Sequence, residues 1–284
     1  MMLFSELEYN IDDSLRLSKE TVDRAITDYS PYAIIVMMSG GHDSLLAYHV
    51  AKILNAPITH FMHGITGTGI LETTDFARKL AERSGLSYLE ANAKDNYEQY
   101  VLRKGFFGIG HLAHAFSYHL LKRQQFRSEI SRNIRQGQRN RNVLLINGAR
   151  KQESINRKNS MIGPIKKDGS DIWVNIVNDW SAIDRNNFLN DYEHNPVYDL
   201  IHRSGECLCG TMQSWETKKE VSYWFPKWGE WLSELEKRAC QRGFCWKWGE
   251  DLPPIIKARK AEEKAIKAGQ TSFLPMCHSC KISP

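Results

Sequence analysis

Ser39-Gly40-Gly41-His42-Asp43-Ser44 decides the fold. This hexapeptide directly follows an apolar run, Ala33 to Met38, and opens a helical pattern, Ser44 to Leu54. A strand that turns through two glycines into a helix points backbone N–H groups inward at the helix's positive end, where phosphate or pyrophosphate binds. The Ser39 and Ser44 hydroxyls can donate to such an anion, and the Asp43 carboxylate can hold a magnesium ion. No lysine follows the glycines, so this is not the Gly-x-x-x-x-Gly-Lys-Ser/Thr loop.

Working outward, further apolar runs read as buried parallel strands: Ile58 to His63, Ser87 to Ala91, Val143 to Asn147 and a fifth candidate, Ile172 to Val177. Helical patterns at Glu72 to Ser84 and His111 to Gln125 lie between them. Strands alternating with helices predict an α/β, doubly wound, mostly parallel sheet. We divide the chain into an N-terminal helical extension (1–30), a phosphate-loop α/β domain (31–178) and a helical, Trp-rich, cysteine-bearing region (179–284). In that last region Trp224, Trp228, Trp231 and Leu235 are spaced for one helix face, a core stripe or a platform for stacked bases.

The 284 residues, 42% of them hydrophobic, exclude a disordered or collagen-like chain. No apolar run reaches the ~18 residues needed to cross a bilayer. The acidic, polar residues 1–18 lack the apolar segment of a signal peptide, so we expect a cytoplasmic protein without a membrane partner. Its six cysteines then read as thiols or metal ligands, and Cys240 and Cys245 as ordinary buried thiols. Net charge is +5, but Lys122 to Arg141 carries seven basic residues against one acid, Glu129. That segment is either a solvated helix face or a contact for a polyanion such as DNA, RNA or a nucleotide.

The hexapeptide resembles the PP-loop, Ser-Gly-Gly-x-Asp-Ser, of the N-type ATP pyrophosphatases, which implies an adenine nucleotide alpha hydrolase-like fold and cleavage of ATP between its α and β phosphates. Three further stretches are similar to the phosphoadenosine phosphosulfate (PAPS) reductase family. They are Thr66-Gly67-Thr68-Gly69-Ile70-Leu71-Glu72-Thr73, then Gly148-Ala149-Arg150-Lys151-Gln152-Glu153-Ser154-Ile155-Asn156-Arg157, then Asp179-Trp180-Ser181-Ala182-Ile183-Asp184 with Asn195-Pro196-Val197-Tyr198. Leu71 replaces the family's usual proline, and the reductase's Glu-Cys-Gly-x-His tail has no counterpart.

The resemblance implies that Ser39, Gly40, Gly41, His42, Asp43, Ser44, Gly148 and Arg150 contact the nucleotide phosphates, with Thr66 and Gly67 beside the adenosine. It makes Asp43, Arg150 and Arg157 the catalytic set, the arginines neutralising phosphate charge at a strand's carboxyl end. Glu153 is expected to hold one of those arginines. Cys207-x-Cys209 and Cys277-x-x-Cys280 could give four thiolates to one centre. The pattern is similar to that around the 4Fe–4S cluster of assimilatory adenylylsulfate reductases and of PAPS-reductase-like proteins of DNA phosphorothioation; structural zinc and free thiols remain the alternatives.

The leading expectation is an enzyme that binds Mg–ATP and adenylates a substrate oxygen, in DNA, RNA or a small molecule. A sulfur donor such as a cysteine desulfurase then supplies the atom that displaces AMP. The alternatives are a PAPS or adenylylsulfate reductase and an ATP-sensing subunit of a DNA-modification complex.

Overall fold

A computed structural model describes residues 11–153 and 163–267. Its centre is a six-stranded sheet of order β3-β2-β1-β4-β6-β5. The strands are β1 (Ala33–Met38), β2 (His60–Ile65), β3 (Ser87–Asn92), β4 (Val143–Ile146), β5 (Ile165–Asp168) and β6 (Asp171–Val174). All pairings are parallel except β5 with β6. β1 and β4 are buried along their whole length, which is why they read as unbroken apolar runs. They pair side by side, Val36 opposite Ile146. The chain leaves β1 toward β2 and reaches β4 only later, so the order reverses between them. Ligands of open α/β sheets bind at the carboxyl ends of such a pair.

Strand β2 begins two residues later than the sequence suggested. Pro57 has no N–H to give a ladder, and Thr59 instead bonds Ile34 through its N–H and its hydroxyl. The fifth candidate strand is the second arm of a hairpin. Its partner Ile165–Asp168 pairs antiparallel across Gly169 and forms the sheet edge.

Six helices carry the argument: α1 (Ile11–Tyr29), α2 (His42–Ile53), α3 (Leu71–Ser84), α4 (Asn96–Lys104), and two near the C-terminus, α5 (Trp215–Trp224) and α6 (Pro226–Gln241). Residues 111–135 form a rod with two π-type stretches, His119–Arg123 and Ile130–Arg135. This rod runs about ten residues beyond the helix expected from the sequence.

The tryptophan stripe is mostly core, but not one helix face. Pro226 starts a new helix, so Trp224 ends α5 at 47% exposure while Trp228 and Leu235 on α6 are buried. They pack with Tyr97 and Val101 of α4 in a second hydrophobic cluster. Cys240 and Cys245 correct another expectation: they are exposed, and the structure pairs them as a disulfide across the Gly243 turn. Among the described residues no helix is long and apolar enough to cross a membrane.

On α2, His49 packs against Tyr192, with ring centroids 4.0 Å apart and the rings tilted by 37°. Burial, then Lys52, brings its pKa down to about 4. The unfolded chain takes up this proton near pH 6.5 and the folded one only near 4, so stability drains away as pH falls through that window. His49→Phe is expected to flatten the loss of stability between pH 6.5 and 4 in denaturant titrations. An unchanged pH profile would contradict it.

Candidate functional site

The phosphate loop is built from β1 outward. Gly40 takes φ +75, and a Cβ there would sit 2.7 Å from Thr73 Cγ2 and 3.0 Å from Asn195 Nδ2. Glycine is therefore required twice, for the left-handed turn and for space. The buried Asn195 amide lies within hydrogen-bond distance of the Gly40 carbonyl, the Thr73 hydroxyl and the Ser204 carbonyl. The Ser39 and Ser44 hydroxyls face each other at 3.1 Å, and Ser44 Oγ accepts from the Ser39 N–H. α2 then starts with no side chain capping its first turn, leaving its positive end directed at the loop.

Asp43 lies where expected, but its carboxylate is engaged. Arg150 donates from Nε to Oδ1 (2.7 Å) and from Nη2 to Oδ2 (3.3 Å), and Arg185 Nη1 donates to Oδ1 (2.9 Å). Arg150 gives another hydrogen to the Trp180 carbonyl, and its side chain is 5% exposed. In this arrangement the Arg150 guanidinium is bonded to Asp43 and to the Trp180 carbonyl. Asp43, held by two guanidiniums, is not a fitting magnesium ligand as placed. Gly148 makes the approach possible, since a Cβ there would lie 2.2 Å from the Asp43 carbonyl oxygen. Glu153 accepts from the Arg150 backbone N–H, a contact to the main chain that the sequence did not suggest. Arg157 lies outside the described residues.

Arg185 did not stand out in the sequence. It follows the capping box Ser181-x-x-Asp184, a readable helix start that brings it one turn into a helix facing α2. Beyond it, His42 stacks on Tyr198 with centroids 3.7 Å apart and meets His194 edge-on. Burial, with Arg185 and His194 close by, lowers the His42 pKa.

A cleft of about 520 Å³ opens on the other side of the loop. Ser39, Asp43, Ser44, Gly148, Lys122 and Glu206 are among its lining residues. Thr66, expected beside an adenosine, supports the wall of this cleft, whereas Gly67, expected there too, lines a separate cavity of about 640 Å³ with Trp228 and Trp231. Thr66 Oγ1 donates to the Glu206 carbonyl (2.8 Å), and Thr68 Oγ1 accepts from the Leu208 N–H (3.0 Å). Gly67 lets the chain pass the Lys94 carbonyl, where a Cβ would sit 2.6 Å away.

Cys207 and Cys209 follow Glu206. Cys209 is buried, 3.3 Å from Thr211 Oγ1. A hydrogen bond from Cys207 brings the Cys209 thiol down to about 5, and the same bond pushes Cys207 up. Cys277 and Cys280 lie outside the described residues. Among those described, no group of three or more His, Cys, Asp or Glu is arranged to hold a metal ion.

The basic segment, read as either a solvated face or a polyanion contact, is largely paired with acids of the fold. Lys122, half-buried, pairs with Glu206. Arg123 and Arg127 bind Asp168, and Arg127 and Arg135 bind Asp171, on the β5–β6 hairpin. Arg141 covers the Tyr32 ring at 3.8 Å. Arg135 and Asp171 are both well buried, so Arg135→Ala should destabilise the fold by about 3 kcal/mol. Arg132→Ala, at a 69% exposed side chain, should cost under about 0.5 kcal/mol. Urea unfolding of the two variants tests this, and equal small effects would contradict it.

The sequence signature of the phosphoadenosine phosphosulfate reductase domain matches residues 33–207. No curated protein matches the chain. Among solved structures, phosphoadenylyl-sulfate (PAPS) reductase from Candida auris, a phosphate complex, is 15% identical over 70% of this chain and 93% of its own, with a TM-score of 0.45. NMN synthetase from Francisella tularensis is 13% identical over 95% of this chain and all of its own, at 0.46. NH3-dependent NAD synthetase from Campylobacter jejuni, with nitrate, is 12% identical over 94% and 99%, at 0.38.

Proposed function

The chain belongs to the phosphoadenosine phosphosulfate reductase domain family, and on that premise we propose that it is an enzyme acting at the α-phosphate of ATP. The observation that supports this is the Ser39–Ser44 loop. It joins two facing hydroxyls to the uncapped start of α2, at the point where the strand order reverses. In the reaction we propose, a substrate oxygen attacks the α-phosphorus, the bond to the bridging oxygen breaks, and pyrophosphate leaves. A sulfur nucleophile then displaces AMP. The leaving pyrophosphate carries the developing charge, and the Ser39 and Ser44 hydroxyls with the first-turn N–H groups of α2 are positioned to stabilise it.

Arg150 and Arg185 serve as positioning residues that hold Asp43 and, with it, the first turn of α2. Magnesium would arrive on the nucleotide, and no step here is assigned to a protein-bound metal. Cys207 and Cys209 supply two thiols beside the cleft wall. In a four-cysteine centre with Cys277 and Cys280 they would be half of the ligand set. We propose a soluble cytoplasmic enzyme fed by a separate sulfur donor, with a nucleic acid as one candidate acceptor.

The test is to incubate the full chain with Mg–ATP and candidate acceptors: DNA, RNA and small alcohols or amides. Acceptor-dependent AMP and pyrophosphate support the reading, and their absence with every acceptor counts against it. A second reading, a sulfonucleotide reductase, draws on the family itself and on the two free thiols Cys207 and Cys209 beside the cleft wall. Sulfite released from PAPS or adenylylsulfate in the presence of a dithiol reductant would select it.

A further inference from the structure

The lining of the cleft also holds a buried carboxylate. Glu206 is 4% exposed. Its Oε2 pairs with Lys122 Nζ, and among the described residues its Oε1 has no hydrogen-bond partner. Its main chain is pinned, because its carbonyl accepts from Thr66 and the Gly69 backbone packs where a Cβ would lie 2.4 Å from that carbonyl oxygen. Lys122, half-buried, is held above the ordinary lysine range by Glu206 although desolvation works against its charge. Leaving a buried carboxylate oxygen unpaired is costly, yet the surrounding contacts fix it in place.

We infer that Glu206 is a specificity residue of the cleft, whose Oε1 accepts a hydrogen bond from an O–H or N–H of the bound nucleoside. This rests on reading the cleft as the nucleotide site. The cleft lining joins two unlike groups. The Ser39–Ser44 loop at the positive start of α2 attracts phosphate, whereas Glu206, its charge already met by Lys122, offers a carboxylate oxygen that calls for an uncharged donor. The two groups sort the ligand, phosphates to the loop and the uncharged, donor-bearing part to Glu206. A nucleoside offers three such donors: the 2′-hydroxyl, the 3′-hydroxyl and the exocyclic amine of the base. Sites built to pair a ligand donor discriminate strongly against analogues that lack it, because a buried acceptor is then left unpaired. Lys122 is the positioning partner that fixes the carboxylate's orientation.

The experiment is a binding titration of the full chain with ATP, 2′-deoxyATP, 3′-deoxyATP, inosine triphosphate and inorganic pyrophosphate. It compares the wild type, Glu206→Gln, and the paired variant Lys122→Met/Glu206→Leu. In the single variant the amide oxygen is drawn to Lys122, so N–H groups confront the ligand's donor. The paired variant replaces both charges with apolar groups of similar size and keeps the wall foldable; thermal melting checks that it does. The wild type should bind one of the three analogues roughly tenfold or more weakly than ATP. Both variants should lose most of that preference and a similar factor in ATP affinity, while pyrophosphate binds within about twofold of wild type.

Three results would overturn the inference: a wild type indifferent to all three analogues, variants that keep the wild-type preference, or variants that lose pyrophosphate and ATP equally. A wild type that binds neither ATP nor pyrophosphate removes the nucleotide reading and this inference with it. That failure is distinguishable because it appears before any substitution is made.

Discussion

Asp43→Ala is expected to destabilise the protein by about 3–5 kcal/mol and to abolish nucleotide turnover. The stability loss follows from the partners left behind. Arg150 is 5% exposed and Arg185 15%, and both donate to the carboxylate that disappears. Burying an uncompensated guanidinium costs more than the ion pair ever contributed. The same change frees the first turn of α2 from the β4 side, so the phosphate loop loses its fixed geometry. A surface magnesium ligand would behave differently, with activity lost and the unfolding midpoint unmoved. Asp43→Ala/Arg150→Met distinguishes the two roles, since removing the carboxylate with the more buried of its two guanidiniums should recover part of the stability but none of the turnover. Guanidinium unfolding and an ATP-consumption assay read both effects. Wild-type stability in the single variant would contradict the account.

Gly148→Ala is expected to cost both stability and nucleotide binding, although it adds only one methyl group. That methyl would lie 2.2 Å from the Asp43 carbonyl oxygen, 2.3 Å from its carbon and 2.5 Å from the Ser44 nitrogen. All three are backbone atoms at the start of α2, so no rotamer change relieves the clash. The loop after β4 and the phosphate loop must separate, by shifts that cost typically 1–3 kcal/mol in a packed site. Arg150, two residues on, moves with that loop. Nucleotide affinity should therefore fall along with stability. Gly137→Ala is the control: its open surroundings offer no clash, although its positive φ still carries a conformational cost. Equal behaviour of the two variants in melting and nucleotide titration would contradict the close-approach argument.

What the sequence made legible follows from how each feature is encoded. β1 and β4 are buried on both faces, so they appear as unbroken apolar runs, and the Ser39–Ser44 loop is a local motif between strand and helix. β5 had no such mark. Ile165-Lys166-Lys167-Asp168 is a polar edge that becomes a strand only by pairing with β6.

The charged segment misled for a related reason. Its basic residues stand out along the chain, whereas Asp168, Asp171 and Glu206, which neutralise them, come from distant positions. Arg185 and Asn195 likewise reach the loop only through the fold. Thr66 was read as a nucleotide contact from resemblance, and its hydroxyl is instead committed to the Glu206 carbonyl.

The most direct test of the central claim is the identity of the products formed from ATP. With the full chain, Mg–ATP and an accepted substrate, phosphorus NMR should show AMP and pyrophosphate growing together, with neither product in Ser39→Ala/Ser44→Ala. Formation of ADP and inorganic phosphate, or product formation that survives the loss of both hydroxyls, would contradict the account.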